Sequence, residues 1–222
     1  MGEASAHLAE VQRKLSFPFG LYLGREITVD EFFDKFYVEP RVSMTAAVQN
    51  QVFDWHSEAP RKIVIIGSMG AGKSTYLVHQ FRQVIAQRGP QSAVLRDFQF
   101  FVDNEPILDD YLFQQSSKVI FVDSLDETAL EQIGARFEAI ITKLLKLTSV
   151  VIACRAPFFS ELFGAALRAD LDAVVQLAPY EASEQDRVIT HFIHALETSP
   201  KQAPAASPSY SAHAGGSLAG VA

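Results

Sequence analysis

An octapeptide rich in glycine constrains this chain more than any other feature. Gly67-Ser68-Met69-Gly70-Ala71-Gly72-Lys73-Ser74 matches the pattern G-x-x-x-x-G-K-[ST]. Ahead of it, Ile63-Val64-Ile65-Ile66 is a β-branched run that reads as a strand buried on both faces. Behind it, the spacing predicts a helix from about Lys73 to Gln87, ended by Gly89-Pro90. Glycines admit positive φ and let the backbone wrap a polyphosphate without Cβ clashes. Amides at the following helix N-terminus add oriented positive charge. In this arrangement Gly67 to Thr75 form a nucleotide cradle. Lys73 reaches the β- and γ-phosphates, the Ser74 hydroxyl ligates Mg²⁺, and Thr75 bonds an α-phosphate. The competing reading is an accidental glycine turn, which meets the fixed positions by chance roughly one time in a hundred.

A second signal is Lys118-Val119-Ile120-Phe121-Val122-Asp123-Ser124-Leu125-Asp126-Glu127. Four apolar residues followed by an acid place Asp123 at the carboxyl end of a parallel strand, the edge where open α/β sheets bind ligands. Asp123 there can hold Mg²⁺ through a water. Asp126 and Glu127 are both candidates to orient or deprotonate an attacking water, and the sequence does not choose between them. Alternatively, these acids solvate a loop and cap a helix at Thr128. The interval from Lys73 to Asp123 has room for a helix, an intervening strand and a return. That fits a P-loop NTPase of the additional-strand type. Ser149 to Ala153 carries a further strand to the same edge and delivers Arg155, whose guanidinium could touch the γ-phosphate and report its presence. An ion pair with Asp123 or Asp126 is the competing role. Cys154 reads as a packing residue.

Strands expected at 63–66, 93–101, 119–122, 149–153 and 173–177 alternate with helices, which implies an α/β three-layer sandwich around a parallel five-stranded sheet. Thr28 and Glu31 form a capping-box pattern opening a helix from Val29 to Phe36. Further helices are expected at Thr45 to Trp55, Pro106 to Gln115, Thr128 to Leu147, around Glu161 to Leu167, and from Ser183 to Leu196. The expected organisation is a helical, aromatic-rich lead-in over 1–58, an NTPase unit over 59–197, and a disordered Ala/Pro/Ser/Gly tail over 198–222. Nineteen basic residues against 26 acidic ones give a net charge of −7, which argues against a surface that grips nucleic acid or anionic lipid as a whole. A single cysteine excludes an internal disulfide. His56, His79, His191 and His194 lack metal-ligand spacing. With no secretory signal and no apolar run near the ~20 residues that span a bilayer, the expected location is cytoplasmic.

Asp123-Ser124-Leu125-Asp126-Glu127 is similar to the D-G-L-D-E signature of NACHT domains, in the STAND class of signal-transduction NTPases, with Ser124 in place of glycine. Ala153-Cys154-Arg155-Ala156-Pro157 resembles that family's T-[ST]-R-P segment, with one extra residue before proline. Leu177 to Tyr180 and Tyr37-Val38-Glu39-Pro40 resemble flanking segments of the same family. The resemblance covers about Tyr37 to Leu196. It implies a nucleotide-dependent switch in signalling or defence, slow Mg²⁺-dependent hydrolysis, and homo-oligomerisation on activation. Members of the family continue into helical and sensor regions, and against them this chain is expected to be a truncated product or a minimal NTPase module. No N-K-x-D motif favours guanine, so ATP is expected ahead of GTP. A small P-loop phosphotransferase and a non-catalytic nucleotide-binding module are the alternatives. The first lacks an arginine-rich lid segment in this sequence.

Overall fold

A computed structural model describes residues 27–46, 61–125 and 130–198. Six strands form one sheet: β1 (Val42–Ala46), β2 (Lys62–Gly67), β3 (Ala93–Asp97), β4 (Val119–Asp123), β5 (Val150–Arg155) and β6 (Ala173–Leu177). Their spatial order is β1-β6-β2-β5-β4-β3. The pairs β2·β5, β2·β6, β3·β4 and β4·β5 are parallel, whereas β1 runs antiparallel to β6. The five parallel strands are the five that the sequence implies. β5 lies between the glycine-loop strand β2 and the acidic strand β4, which is the additional-strand arrangement.

The β-branched runs make sense of the layers. Along β2, Val64 belongs to one apolar cluster, and its neighbours Ile63 and Ile65 belong to another. Val150 and Ile152 of β5 alternate with Val151 and Ala153 in the same way. Side chains of successive strand residues point to opposite faces, so both faces are buried and covered by helices. One face carries α2 (Lys73–Arg88), through Tyr76, Leu77, Phe81 and Val84. The other carries α3 (Phe98–Asp103), α4 (Leu108–Gln114), α5 (Leu130–Leu145), α6 (Ala156–Leu162) and α7 (Ala165–Ala169).

A third, smaller cluster joins the first and last of the described helices. Ile27, Phe32 and Phe36 of the segment around α1 (Val29–Lys35) pack with Phe192 of α8 (Ala182–Thr198). Thr28 caps α1 as expected, its hydroxyl accepting the Glu31 N–H at 3.0 Å. Phe33 and Tyr37 lie against His79 of α2, with ring centroids 5.4 and 4.6 Å away. Tyr180 donates its hydroxyl to the Val38 carbonyl at 2.6 Å, and Arg41 pairs with Glu181 and Glu184.

Three expectations change. The helix expected from Thr45 to Trp55 is overturned at its start, because Thr45 and Ala46 end β1, where pairing with β6 supplies hydrogen bonds that local propensity does not anticipate. The sheet therefore has six strands, five of them parallel. The strand expected over 93–101 stops at Asp97, whose carboxylate accepts the Phe100 N–H at 2.8 Å and opens α3. The helix around Glu161 to Leu167 is two short helices, Ala156–Leu162 and Ala165–Ala169. The rest of the helix expected up to Trp55, the weakly helical pattern from Ala4 to Leu15, the start of the helix at Thr128, and the tail from 199 onward lie outside the described residues.

Candidate functional site

Three strand ends converge at one edge of the sheet. Gly67 closes β2 opposite Arg155 of β5, Val122 of β4 faces Ile152 of β5, and Asp123 is the next residue on β4. The loop between β2 and α2 turns back through Gly70 (φ 76°) and Gly72 (φ 82°). Both lie in the left-handed region, where a Cβ is strained. The turn is closed by the Ala71 N–H on the Ser68 carbonyl at 3.2 Å. Gly67 fits for a different reason: a Cβ there would sit 3.2 Å from the Ala71 Cβ and 3.4 Å from the Leu177 Cβ, a tight approach that would make the neighbours give way.

The helix α2 starts with no side-chain cap and no acid in its first turn, in contrast to Thr28 on α1 and Asp97 on α3. Its ladder begins at the Tyr76 N–H on the Gly72 carbonyl, 2.8 Å, so the amides of Lys73, Ser74 and Thr75 stand ahead of it. That leaves the positive end of a sixteen-residue helix facing the loop. A cleft of about 410 Å³ opens there, lined by Met69, Gly70, Gly72, Lys73, Ser74, Thr75, Asp123, Ser124, Ala153 and Arg155.

Within the cleft the Ser74 hydroxyl donates to Asp123 Oδ1 at 2.9 Å. The same oxygen accepts the Ser124 N–H at 2.8 Å, and Asp123 is buried, 4% exposed. The two residues expected to share a metal therefore meet, although 49 positions separate them. One hydroxyl and one carboxylate are hard oxygen donors, and they fit a magnesium ion that keeps most of its shell on water and phosphate. The Lys73 ammonium lies on the loop's own carbonyls, 3.0 Å from Ser68 O and 3.4 Å from Gly67 O.

Arg155 ends β5 and is the N-cap residue of α6. Its guanidinium stands over the Phe158 ring, 4.8 Å from the centroid. Gly67, Ser68 and Ala71 shape the loop rather than line the cleft. Asp126 and Glu127 lie outside the described residues. Sequence reasoning missed Ser124 and Ala153, which line the cleft. At Ser124 there was a signal: its φ of 56° makes it the one described non-glycine residue in the left-handed region, and it occupies the glycine position of D-G-L-D-E. Ala153 sits within β5 and carried none.

A second cleft, of about 440 Å³, lies between α1 and α2, lined by Asp30, Phe33, His79 and Arg82 among others. Arg82 is engaged there by Asp30 at 2.6 Å and by the Phe33 ring at 4.7 Å. It contains no residue of the glycine loop between β2 and α2. Burial lowers the pKa of His79 below the ordinary imidazole value, with the Arg82 charge acting in the same direction against the Glu39 charge.

No family model matches the chain, and no curated protein matches it. Solved structures with a similar fold include domain III of the replication initiation protein DnaA from Thermotoga maritima, at 16% identity and a TM-score of 0.49, covering 64% of this chain and 65% of that one. An AMPPCP-bound DnaA from Aquifex aeolicus matches at 16% identity and a TM-score of 0.44, covering 63% of this chain and 51% of that one. The DnaC helicase loader matches at 16% identity and a TM-score of 0.40, covering 56% and 84%. The chain thus spans just under two thirds of the Thermotoga domain and about half of the Aquifex protein.

Proposed function

We propose that the chain binds a nucleoside triphosphate with Mg²⁺, ATP ahead of GTP, and hydrolyses it slowly as the nucleotide-dependent part of a signalling or defence switch. The observation that carries nucleotide binding is the 2.9 Å bond from the Ser74 hydroxyl to Asp123, set at the mouth of a positive-φ glycine loop. An uncapped helix N-terminus, a lysine and paired hard-oxygen donors converge on one cleft, and a triphosphate with its cation uses all of them.

In this reading the amides at the start of α2 bind the phosphates. Lys73 leaves the Ser68 and Gly67 carbonyls for the β- and γ-phosphate oxygens. Ser74 and Asp123 would hold Mg²⁺, which would supply positive charge to neutralise the phosphates. Asp123, fixed by the Ser124 amide, keeps its carboxylate turned toward Ser74. Arg155 contacts the γ-phosphate from the end of β5, and Asp126 or Glu127 orients the attacking water. The similarity of 123–127 to D-G-L-D-E supports the switch role, together with a cytoplasmic location and assembly on activation.

Calorimetry with ATP, GTP and ADP, with and without Mg²⁺, tests the reading. Lys73→Ala should abolish tight triphosphate binding while circular dichroism stays unchanged; normal binding by that variant would refute the site. Single-turnover hydrolysis separates the roles. Phosphate release lost in Glu127→Gln or Asp126→Asn supports the hydrolytic switch, labelling of an acceptor supports a phosphotransferase, and binding without turnover supports a non-catalytic module.

A further inference from the structure

Phe158 lies on the first turns of α6, three residues after Arg155, with its ring 4.8 Å beneath the guanidinium carbon. An arginine side chain at a strand end loses much rotamer freedom when it is made to point one way. Here an aromatic face takes up that task. The guanidinium is planar: its face packs on the ring, while its N–H donors radiate in the plane, the direction from which an oxyanion is bound. Arg155 lines the cleft that contains Lys73, Ser74 and Asp123, and Phe158 does not.

We propose that Phe158 is a positioning residue that holds Arg155 ready for the terminal phosphate, and so sets how strongly the site prefers a triphosphate to a diphosphate. The proposal rests on the γ-phosphate role given to Arg155 above. In that reading the α- and β-phosphates are served by the loop amides and Lys73, and Phe158 does not line the cleft, so removing the ring should spare diphosphate binding. A cation over an aromatic ring in a half-exposed setting contributes a factor of roughly three to ten in an equilibrium constant.

The experiment measures Kd for ADP and for a non-hydrolysable ATP analogue, both with Mg²⁺, on the full chain and on Arg155→Ala, Phe158→Leu and Phe158→Tyr. Phe158→Leu should weaken analogue binding about three- to tenfold, leave ADP binding within twofold, and keep the melting temperature close to wild type. Phe158→Tyr, which retains the ring, should restore the ratio. A preference unchanged or raised in Phe158→Leu, while Arg155→Ala loses it, overturns the positioning role and leaves the Arg155 reading standing. If Arg155→Ala itself keeps the full preference, the γ-phosphate contact fails first. Should Phe158→Leu unfold the chain, the tyrosine variant decides alone: a ratio below half of wild type in that folded protein counts against the proposal, and a kept ratio supports it.

Discussion

Replacing Ser124 by glycine should make the protein more stable. Ser124 has φ 56°, and the other described residues with positive φ are all glycines: Gly70, Gly72 and Gly89. An L-residue held in the left-handed region costs roughly 1–2 kcal/mol. Glycine removes that strain but widens the unfolded ensemble, which returns about 0.4–1 kcal/mol. The bond that Ser124 makes to Asp123 Oδ1 comes from its main-chain N–H, 2.8 Å, and survives the change. The difference leaves roughly 0.5–1 kcal/mol in favour of Ser124→Gly. For a chain of this size that is a rise of about 1–4 °C in Tm. Urea unfolding should show a higher midpoint at an unchanged slope, and Ser124→Val, β-branched at the same φ, should lose at least 1 kcal/mol, on the order of the strain itself. If glycine proves neutral or harmful and valine is tolerated, the backbone at 124 is not left-handed. The amide would then not be holding the Asp123 carboxylate toward Ser74.

Two further outcomes follow from the seam between α1, α2 and α8. Because the folded pKa of His79 lies below its unfolded value near 6.5, the folded state takes up fewer protons than the unfolded one. Its contribution is therefore intact above pH 6.5 and is lost as the pH falls through that value toward the folded pKa; His79→Gln should reduce the fall in urea midpoint between pH 7.5 and pH 5.5, and an unchanged fall would refute the assignment. Tyr180→Phe deletes the 2.6 Å bond to the Val38 carbonyl and should cost about 1 kcal/mol by the same measurement; no loss would mean that the contact does not hold in solution.

The layers and the loop were legible because two strong local signals agreed with the global fold. Ile63 to Ile66 and Val119 to Val122 are too apolar for a surface strand, and each ends in a residue suited to phosphate or metal. That Ser74 and Asp123 would face one metal was legible from the two motifs, whereas the direct 2.9 Å bond between their side chains was not. β1 was missed for a different reason. Val42-Ser43-Met44-Thr45-Ala46 does alternate apolar and polar residues, but the run is short and its last two residues also suit the helix expected from Thr45, so its pairing with β6 decides the matter. At Phe98 to Phe101 the misleading signal was the apolar run. Phe98 and Phe101 are fully buried and Phe100 packs against the same cluster, yet a single cap at Asp97 turns the segment into a helix. Phe158 gave no warning at all, because an aromatic three residues beyond an arginine acquires meaning only when α6 folds the two together.

The antiparallel strand also has a practical bearing on how the protein can be cut. Its pairing with Ala173–Leu177 occupies one flank of β6, and β2 occupies the other. A fragment beginning at Arg61 would keep the glycine loop and Asp123 but strip that flank, leaving a row of main-chain amides and carbonyls open to any passing strand. Such a piece would be prone to self-association through the bared border, whatever its affinity for nucleotide, so recombinant work gains by retaining the stretch that includes Val42–Ala46.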